Sequence, residues 1–545
     1  MRLRLLLTAV CTVTIAGGLR APLAYAADLP FASQPIEKVI DQLIDTAITD
    51  AGVTPAGQAD DATVIRRLTL DLVGRIPTTA EVDAYTKSKE SDKRIKLVDR
   101  LIAAPGFARH QASLFDVMLN TDGNMRGNGA FRDYLVAAIK EDKPWDKVFR
   151  ELLLPNEGNA KLKGAAEFLR ARLTDTDKLT NDVSVAFFGV NVSCAQCHNH
   201  PLVVGWTQDH FYGMKMFLAR TFDNGGFLGE RGSGGIKYKP TKGPERTAKM
   251  MFLTGAVIED ASSKEPTADE MKKEKDALDK AKAAKTPPPA PKFSARAKLV
   301  EVALQDANAD YFARNIVNRM WHRFLGAGLV TPLDQMHSEN PPSHPELLSW
   351  LARDTATHAY DLKRLIRGIV LSKTYSRSSR YDSDQPDPKL FAVAKLKPMT
   401  PLQLATSLKI AATDPVAFEG KKAEEFERTI EQMESSARGF ASLIAQPTDN
   451  FQIGVGEALL FSNGNRVMNE YLTDGTGTAL GRIKTMRDSK EAAEFLVKTA
   501  YGRSATAEES KAISAYIQKR PGREADAYRQ VLWAFVTAPE FRFSY

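Results

Sequence analysis

Apolar residues recur at helical spacing over most of this chain. In PIEKVIDQLIDTAITDAG, Ile36, Val39, Ile40, Leu43 and Ile44 fall on one face, and the pattern stops at Gly52. The same period runs through DATVIRRLTLDLVGR, DKRIKLVDRLIAAPGF, FRDYLVAAIKED and WDKVFRELLL. It resumes in YFARNIVNRMWHRFLGAG, HPELLSWLARDTATHA, LKRLIRGIVLS and TPLQLATSLKIAAT, and continues to the C-terminus. Between these stretches, residues 223–261 are rich in Gly and β-formers and predict loops with a short hairpin or two. Residues 262–292 read as a linker, a charged Ala/Lys helix followed by a stiff Pro-rich run. The pattern predicts a mainly α, multi-helical two-domain protein with a short β/loop-rich insert between the halves. One domain would span 27–222 and the other 293–545.

The N-terminus adds a compartment. Basic MRLR, the apolar run LLLTAVCTVTIAGGL and the small-x-small AYA at 24–26 predict a signal peptide over 1–26. The mature protein is expected to be exported, periplasmic or extracellular, with no integral membrane segment after cleavage. The chain has 74 Lys and Arg against 67 Asp and Glu. Removing Arg2, Arg4 and Arg20 with the leader leaves 71 against 67, a surplus of +4 spread among interspersed acids. That balance argues against a nucleic-acid partner. The lysines of 262–292 read as a solvated helix for the same reason.

An internal echo stands out. GRIPTTAE at 74–81 and GRSATAEE at 502–509 share G-R-x-x-T-x-x-E, each after an apolar helix and each followed later by APGF or APEF. Gly74 and Gly502 are expected to end helices. Thr78 with Glu81, and Thr506 with Glu509, are expected to form capping boxes for the next ones. The echo predicts a recurring helical packing unit rather than two copies of a binding unit.

Chemistry concentrates in VSCAQCHNHP at 192–201. Of three cysteines, Cys11 lies in the leader, so Cys194 and Cys197 are the only mature ones. Exported proteins of this size often carry several disulfides, so a lone pair three residues apart points to chemistry. C-x-x-C-H is the haem c attachment pattern. Two thiols on one turn reach the two vinyl groups along one porphyrin edge, and His198 then projects beneath the ring as proximal iron ligand. His210 or Met214 in TQDHFYGMKMFLAR, which share a helical face, are the distal candidates, with Met336 and His337 further possibilities. Zinc held by Cys194, Cys197 and a nearby His, and a plain disulfide, stay open. A thioredoxin-like dithiol fits the helical surroundings less well.

RRLTLDLVGRIPT, DKPWDKVFRELL and FFGVNVSCAQCHNHPLVVGWTQDHFYGMKMF resemble the secreted domain of unknown function fifteen-forty-nine, the second planctomycete cytochrome-type domain. DYFARNIVNRMWHRFLGAGLVTPLDQMHSENPPSHPELLSWLA, LKRLIRGIVLSKTYSRSS and LFSNGNRVMNE resemble its companion, domain fifteen-fifty-three. The resemblance covers nearly all of the mature chain. It implies an exported protein whose cytochrome-type name suggests haem, without an established activity. Members often read CAQCHDHP; here Asn199 stands in place of the Asp, which removes a carboxylate beside His198 and His200.

Other polar groupings read as structure. Asn315, Asn318, Arg319 and His322 in RNIVNRMWHRF suggest a satisfied network between helices. His344 precedes a helix whose start is set by Ser343 and Pro345. Asp175 and Asp177 lack the Gly turn and terminal Glu of a calcium loop and read as a capped loop. No Ser-His-Asp set or phosphate loop is evident, so no catalytic residue is assigned. The expected role is electron transfer or redox sensing by a haem c protein with a redox protein partner. The alternative is a non-redox envelope scaffold or binding protein stapled by zinc or a disulfide.

Overall fold

The structure, a computed structural model, describes residues 34–120, 129–203, 205–260, 266–305, 308–447, 454–462, 465–486 and 488–545. The leader read at 1–26 and the centre of FSNGNRV lie outside the described residues. The protein is mainly α. The first run of helices is α1 Ile36–Asp50, α2 Asp61–Val73, α3 Thr79–Lys87, α4 Lys93–Ala103, α5 Pro105–Leu119, α6 Gly129–Lys140 and α7 Trp145–Leu153. It continues with α8 Glu167–Arg170, α9 Thr176–Phe188, α10 Cys194–Cys197 and α11 Gln208–Met216. Three antiparallel two-strand pairs follow: β1 Thr221–Asp223 with β2 Leu228–Glu230, β3 Lys237–Tyr238 with β4 Arg246–Thr247, and β5 Met250–Met251 with β6 Val257–Ile258. The charged segment is α12 Ala268–Ala284, capped by Thr267 and Glu270. It lies against the first strand pair, where Asn224 donates to the Leu278 carbonyl and Gly232 N–H donates to Glu274.

The later helices are α13 Ala295–Ala303, α14 Ala309–Leu325, α15 Pro345–Thr357, α16 Leu362–Leu371, α17 Pro401–Ala412 and α18 Ala423–Ala441. Shorter α19 Val455–Ser462, α20 Asn465–Glu470 and α21 Ala479–Ile483 lead to α22 Ser489–Tyr501, α23 Ala507–Gln518, α24 Glu524–Thr537 and α25 Pro539–Arg542. A last strand pair joins β7 Lys397–Pro398 to β8 Phe543–Ser544. Among the described residues, no helix is long and apolar enough to cross a membrane.

Two apolar cores organise these elements. The larger runs from Ile36 to Ala392 and continues across the 262–292 segment. Phe149 of α7 packs on Phe187 of α9 and on Phe312 of α14, ring centroids 4.7 and 4.9 Å apart. Removing each such ring from water contributes roughly 2–3 kcal/mol. The α14 stripe of Phe312, Ile316, Val317, Met320, Trp321 and Phe324 is buried, and Gly326 at φ +80° ends the helix. The smaller core gathers α17–α25 around Leu404, Phe440, Leu496 and Leu532, and takes in Leu70 of α2 and Ile76 just after it.

The sequence echo is a structural repeat. Gly74 and Gly502 end α2 and α22 in the left-handed conformation, at φ +75° and +73°. Thr78 with Glu81, and Thr506 with Glu509, form the expected capping boxes. Ala104-Pro105 and Ala538-Pro539 then open α5 and α25 with the same extended cap residue and Pro at the first helical position.

Candidate functional site

The short α10 is built outward from a buried anchor. Ala195 is 1% exposed and holds the turn to the larger core, so Cys194 and Cys197, three residues apart, both face out as free thiols. Asn181 of α9 accepts from the Val192 and Ser193 N–H groups, 3.0 and 3.2 Å. Gln196 donates to Asp177 at 3.0 Å, and Gln208 of α11 donates to the Gln196 carbonyl at 3.1 Å. Asp175 caps α9 by accepting from Asp177 and Lys178 N–H, as a capped loop requires, while Asp177 also pairs with Lys215. The motif is thus clamped between α9 and α11.

His198 is exposed and extended, and its Nδ1 lies 2.6 Å from the Asn199 carbonyl oxygen. A carbonyl only accepts, so Nδ1 carries a proton and Nε2 is the ring nitrogen left to face a ligand. The Asn199 side chain turns the other way and accepts from Gln208 N–H at 3.3 Å. His200 is buried, and its Nδ1 accepts from Leu202 and Val203 N–H, 3.3 and 3.0 Å. Desolvation, with the charges of His337 and His198, lowers its basicity.

The far half of the chain reaches this site. Asn191 N–H donates to the Asp334 carbonyl at 2.8 Å, Met336 N–H donates to that of Gly189 at 2.9 Å, and Val190 bridges Gln335. The loop after α14 is therefore laid along the approach to the cysteines. It brings the His337 ring edge-on to His200, 5.8 Å between centroids, with Trp206 5.5 Å from His200 and 5.9 Å from His337. His337 Nδ1 is buried without a hydrogen-bond partner among the described residues.

The other ligand candidates stand differently. Met214 is wholly buried in the larger core. His210 forms a capping box at the start of α11, where Nδ1 accepts from Thr207 N–H at 3.2 Å. Burial lowers its basicity. Among the described residues, no three His, Cys, Asp or Glu side chains stand together as a metal site.

The α14 polar residues make the expected network. Asn315 donates to the Ala186 carbonyl, Arg319 donates to that of Val185, and Asn318 exchanges two hydrogen bonds with the Val330 backbone. His344 precedes α15, with Pro345 at its first position; Ser343 does not cap it and instead donates its N–H to the Leu329 carbonyl.

Sequence reading missed the role of the buried pair in VIRRLTLDLV. Arg66 donates to the Ala500 and Phe541 carbonyls, and Arg67 to those of Arg377 and Tyr545, tying α2 to the C-terminus. The available signal was two arginines inside an otherwise apolar helix.

A helical protein with an exposed Cys-x-x-Cys-His turn, overlaid by a loop from its second half, defines the class. Residues 39–223 match PSCyt2, described as "Protein of unknown function (DUF1549)", and residues 295–446 match PSD1, "Protein of unknown function (DUF1553)". The chain belongs to the proteins that pair these two domains. No curated protein and no solved structure matches it.

Proposed function

We propose that this is an exported c-type haem protein serving electron transfer or redox sensing, with a redox protein as partner. Cys194 and Cys197 would hold the haem through two thioethers, and His198 would bind the iron through Nε2. The observation that carries the reading is the His198 ring, whose Nδ1–H is committed to the Asn199 carbonyl. Histidine ligands are commonly oriented by such a bond, which also fixes the tautomer. Both thiols are exposed on one turn beside it. Bound there, haem would supply a one-electron couple whose potential depends on the far ligand and on surrounding polarity.

Of the two candidates on α11, His210 uses Nδ1 for its cap and makes no hydrogen bond through Nε2 among the described residues, whereas Met214 would have to leave the core. His210 is therefore the distal ligand to test. Expression of the chain with cytochrome c maturation machinery should give a red protein whose intact mass includes one haem. A colourless product holding zinc or a Cys194–Cys197 disulfide would overturn the reading in favour of a non-redox scaffold. With haem present, His210→Ala should alter the reduced spectrum.

A further inference from the structure

A cavity of about 320 Å³ lies where α2 and α5 meet α14 and the segment entering α17. Its titratable lining is Asp71, His110, Arg319, His322, Arg323 and Lys397, and Leu114, Met118 and Met399 supply apolar wall. The volume is at the small end for ligand sites, and the mixture of apolar wall with a few convergent polar groups is typical of them.

The charges do not balance. Arg319 and Arg323 lie four residues apart on α14 and so share a face. Arg319 spends its bonds on neutral acceptors, Asn315 at 2.9 Å and the Val185 carbonyl at 2.6 Å. Arg323 donates to Gln111 at 3.0 Å and lies over the Phe115 ring, 4.6 Å from its centre. Neither guanidinium is salt-bridged to a carboxylate among the described residues. Asp71 is taken by Lys397 at 2.5 Å and by the Tyr375 hydroxyl at 2.9 Å. Asp334 lends its charge to Arg319, so among the described residues Arg323 is the cation left without a carboxylate. Desolvation, partly offset by the Asp334 charge, draws Arg319 down to about 10; desolvation, helped by the Arg319 charge, draws Arg323 to about 9. His110 is 7% exposed, and its Nε2 has no hydrogen-bond partner among the described residues. A desolvated guanidinium such as Arg323, set beside a second one and without a carboxylate among the described residues, is costly unless something compensates it.

We propose that this cavity binds a small organic oxyanion, its acidic head gripped by Arg319 and Arg323 and its body set against the apolar wall and His110. A planar guanidinium matches carboxylate, sulfate and phosphate oxygens alike, through paired charge-assisted bonds. The assignment stands whether or not haem is bound at Cys194 and Cys197.

The test is calorimetry and thermal shift on the full chain at constant ionic strength. Sodium phosphate, sodium sulfate and sodium glucuronate are the probes, with chloride and glucose as controls. At least one oxyanion should bind at one per chain and raise the melting temperature above the chloride control. The three probes separate a bare inorganic anion from an acid carried on a hydroxylated body. Arg323→Gln should weaken that binding about tenfold or more. Val117, which is 45% exposed on the cavity lining, allows a second variant that leaves the core alone. Val117→Trp should narrow the cavity and weaken binding even if Arg323→Gln fails to fold. Weakened binding in either folded variant supports the site. It is overturned if no probe exceeds chloride, or if every folded variant binds as the parent does.

Discussion

Arg75 grips Glu81 with both terminal guanidinium nitrogens, 2.7 and 3.0 Å from the two carboxylate oxygens. Arg503 holds Glu509 in the same way at the other end of the chain, 2.8 and 2.7 Å. In each copy the Glu also accepts from its own capping Thr, so a single carboxylate locks the turn between two helices. The copies meet: a Cβ on Gly502 would lie 3.4 Å from Val82 and 3.8 Å from Pro77, and Lys498 pairs with Asp83 at 2.5 Å. The repeat therefore fastens the start of the chain to its end.

Burial acts to raise the Glu81 carboxyl, but Arg75 beside it outweighs this and brings it to about 2. Hydrogen bonds from Arg503 bring Glu509 to about 2 as well. Both groups favour the fold in their charged form, so their stabilisation is complete above pH 4.5 and fades as pH falls toward 2. Glu81→Gln should cost roughly 2–4 kcal/mol, because it leaves Arg75 buried and unpaired. The more exposed Glu509→Gln should cost about 1 kcal/mol. Urea unfolding midpoints at pH 7 check the ranking, and equal losses would refute it.

Local chemistry made part of this architecture legible in the sequence. Capping boxes, helix-ending glycines and the Asp175 cap lie within a few residues of each other, and their bonding follows from type and spacing. Contacts between distant segments carried no such signal. Nothing periodic in LDQMHSENPP marks it as the loop that pairs with 189–191, because its bonds are made by backbone atoms. The cationic cavity draws on residues from 71 to 544, each of which reads alone as a surface charge or a core position. Met214 shows the converse, since helical spacing placed it beside His210 but carried no sign that it would be wholly buried.

His110 and His344 should make the protein acid-sensitive above the carboxylate range. Burial, with the charges of Arg323 and Lys397, lowers His110 to about 3; burial alone lowers His344 to about 4. Below pH 6.5 the unfolded chain takes up protons that the folded one refuses, so stability falls as pH falls. Each histidine should contribute a slope of up to about 1.4 kcal/mol per pH unit between pH 6.5 and 4.5. Urea unfolding at pH 7, 6 and 5 reads the slope. His110→Gln should flatten it, and an unchanged slope in that variant would be the failing outcome.

Gly189 sets the approach to the cysteines. It sits at φ +69°, and a Cβ there would lie 2.9 Å from Asn315 Oδ1. Asn315 has little room to move, because it donates to the Ala186 carbonyl at 2.8 Å and accepts from Arg319 at 2.9 Å. Gly189→Ala should cost roughly 2–3 kcal/mol from backbone strain and contact together. Gly52, at φ +65° with nothing within 4 Å, is the control, and Gly52→Ala should cost only about 1 kcal/mol. Thermal melts of the two variants distinguish strain alone from strain plus the collision, and matching losses would count against the Asn315 contact.

Asn199 offers a test of what a carboxylate beside the motif contributes. Its side-chain oxygen accepts from the N–H of Gln208, the first residue of α11, while its backbone carbonyl receives His198 Nδ1. A carboxylate on the same atoms would face the unsatisfied N–H groups at a helix start, where negative charge is favourable by about 0.3–1 kcal/mol. Asn199→Asp should therefore raise the melting temperature slightly, with the gain shrinking in high salt. The His198 contact runs through the backbone and should survive the change, so the His198 Nδ1 proton should keep its hydrogen-bonded NMR shift. A destabilised variant, or a lost Nδ1 signal, would mean that residue 199 acts on the histidine through its side chain instead.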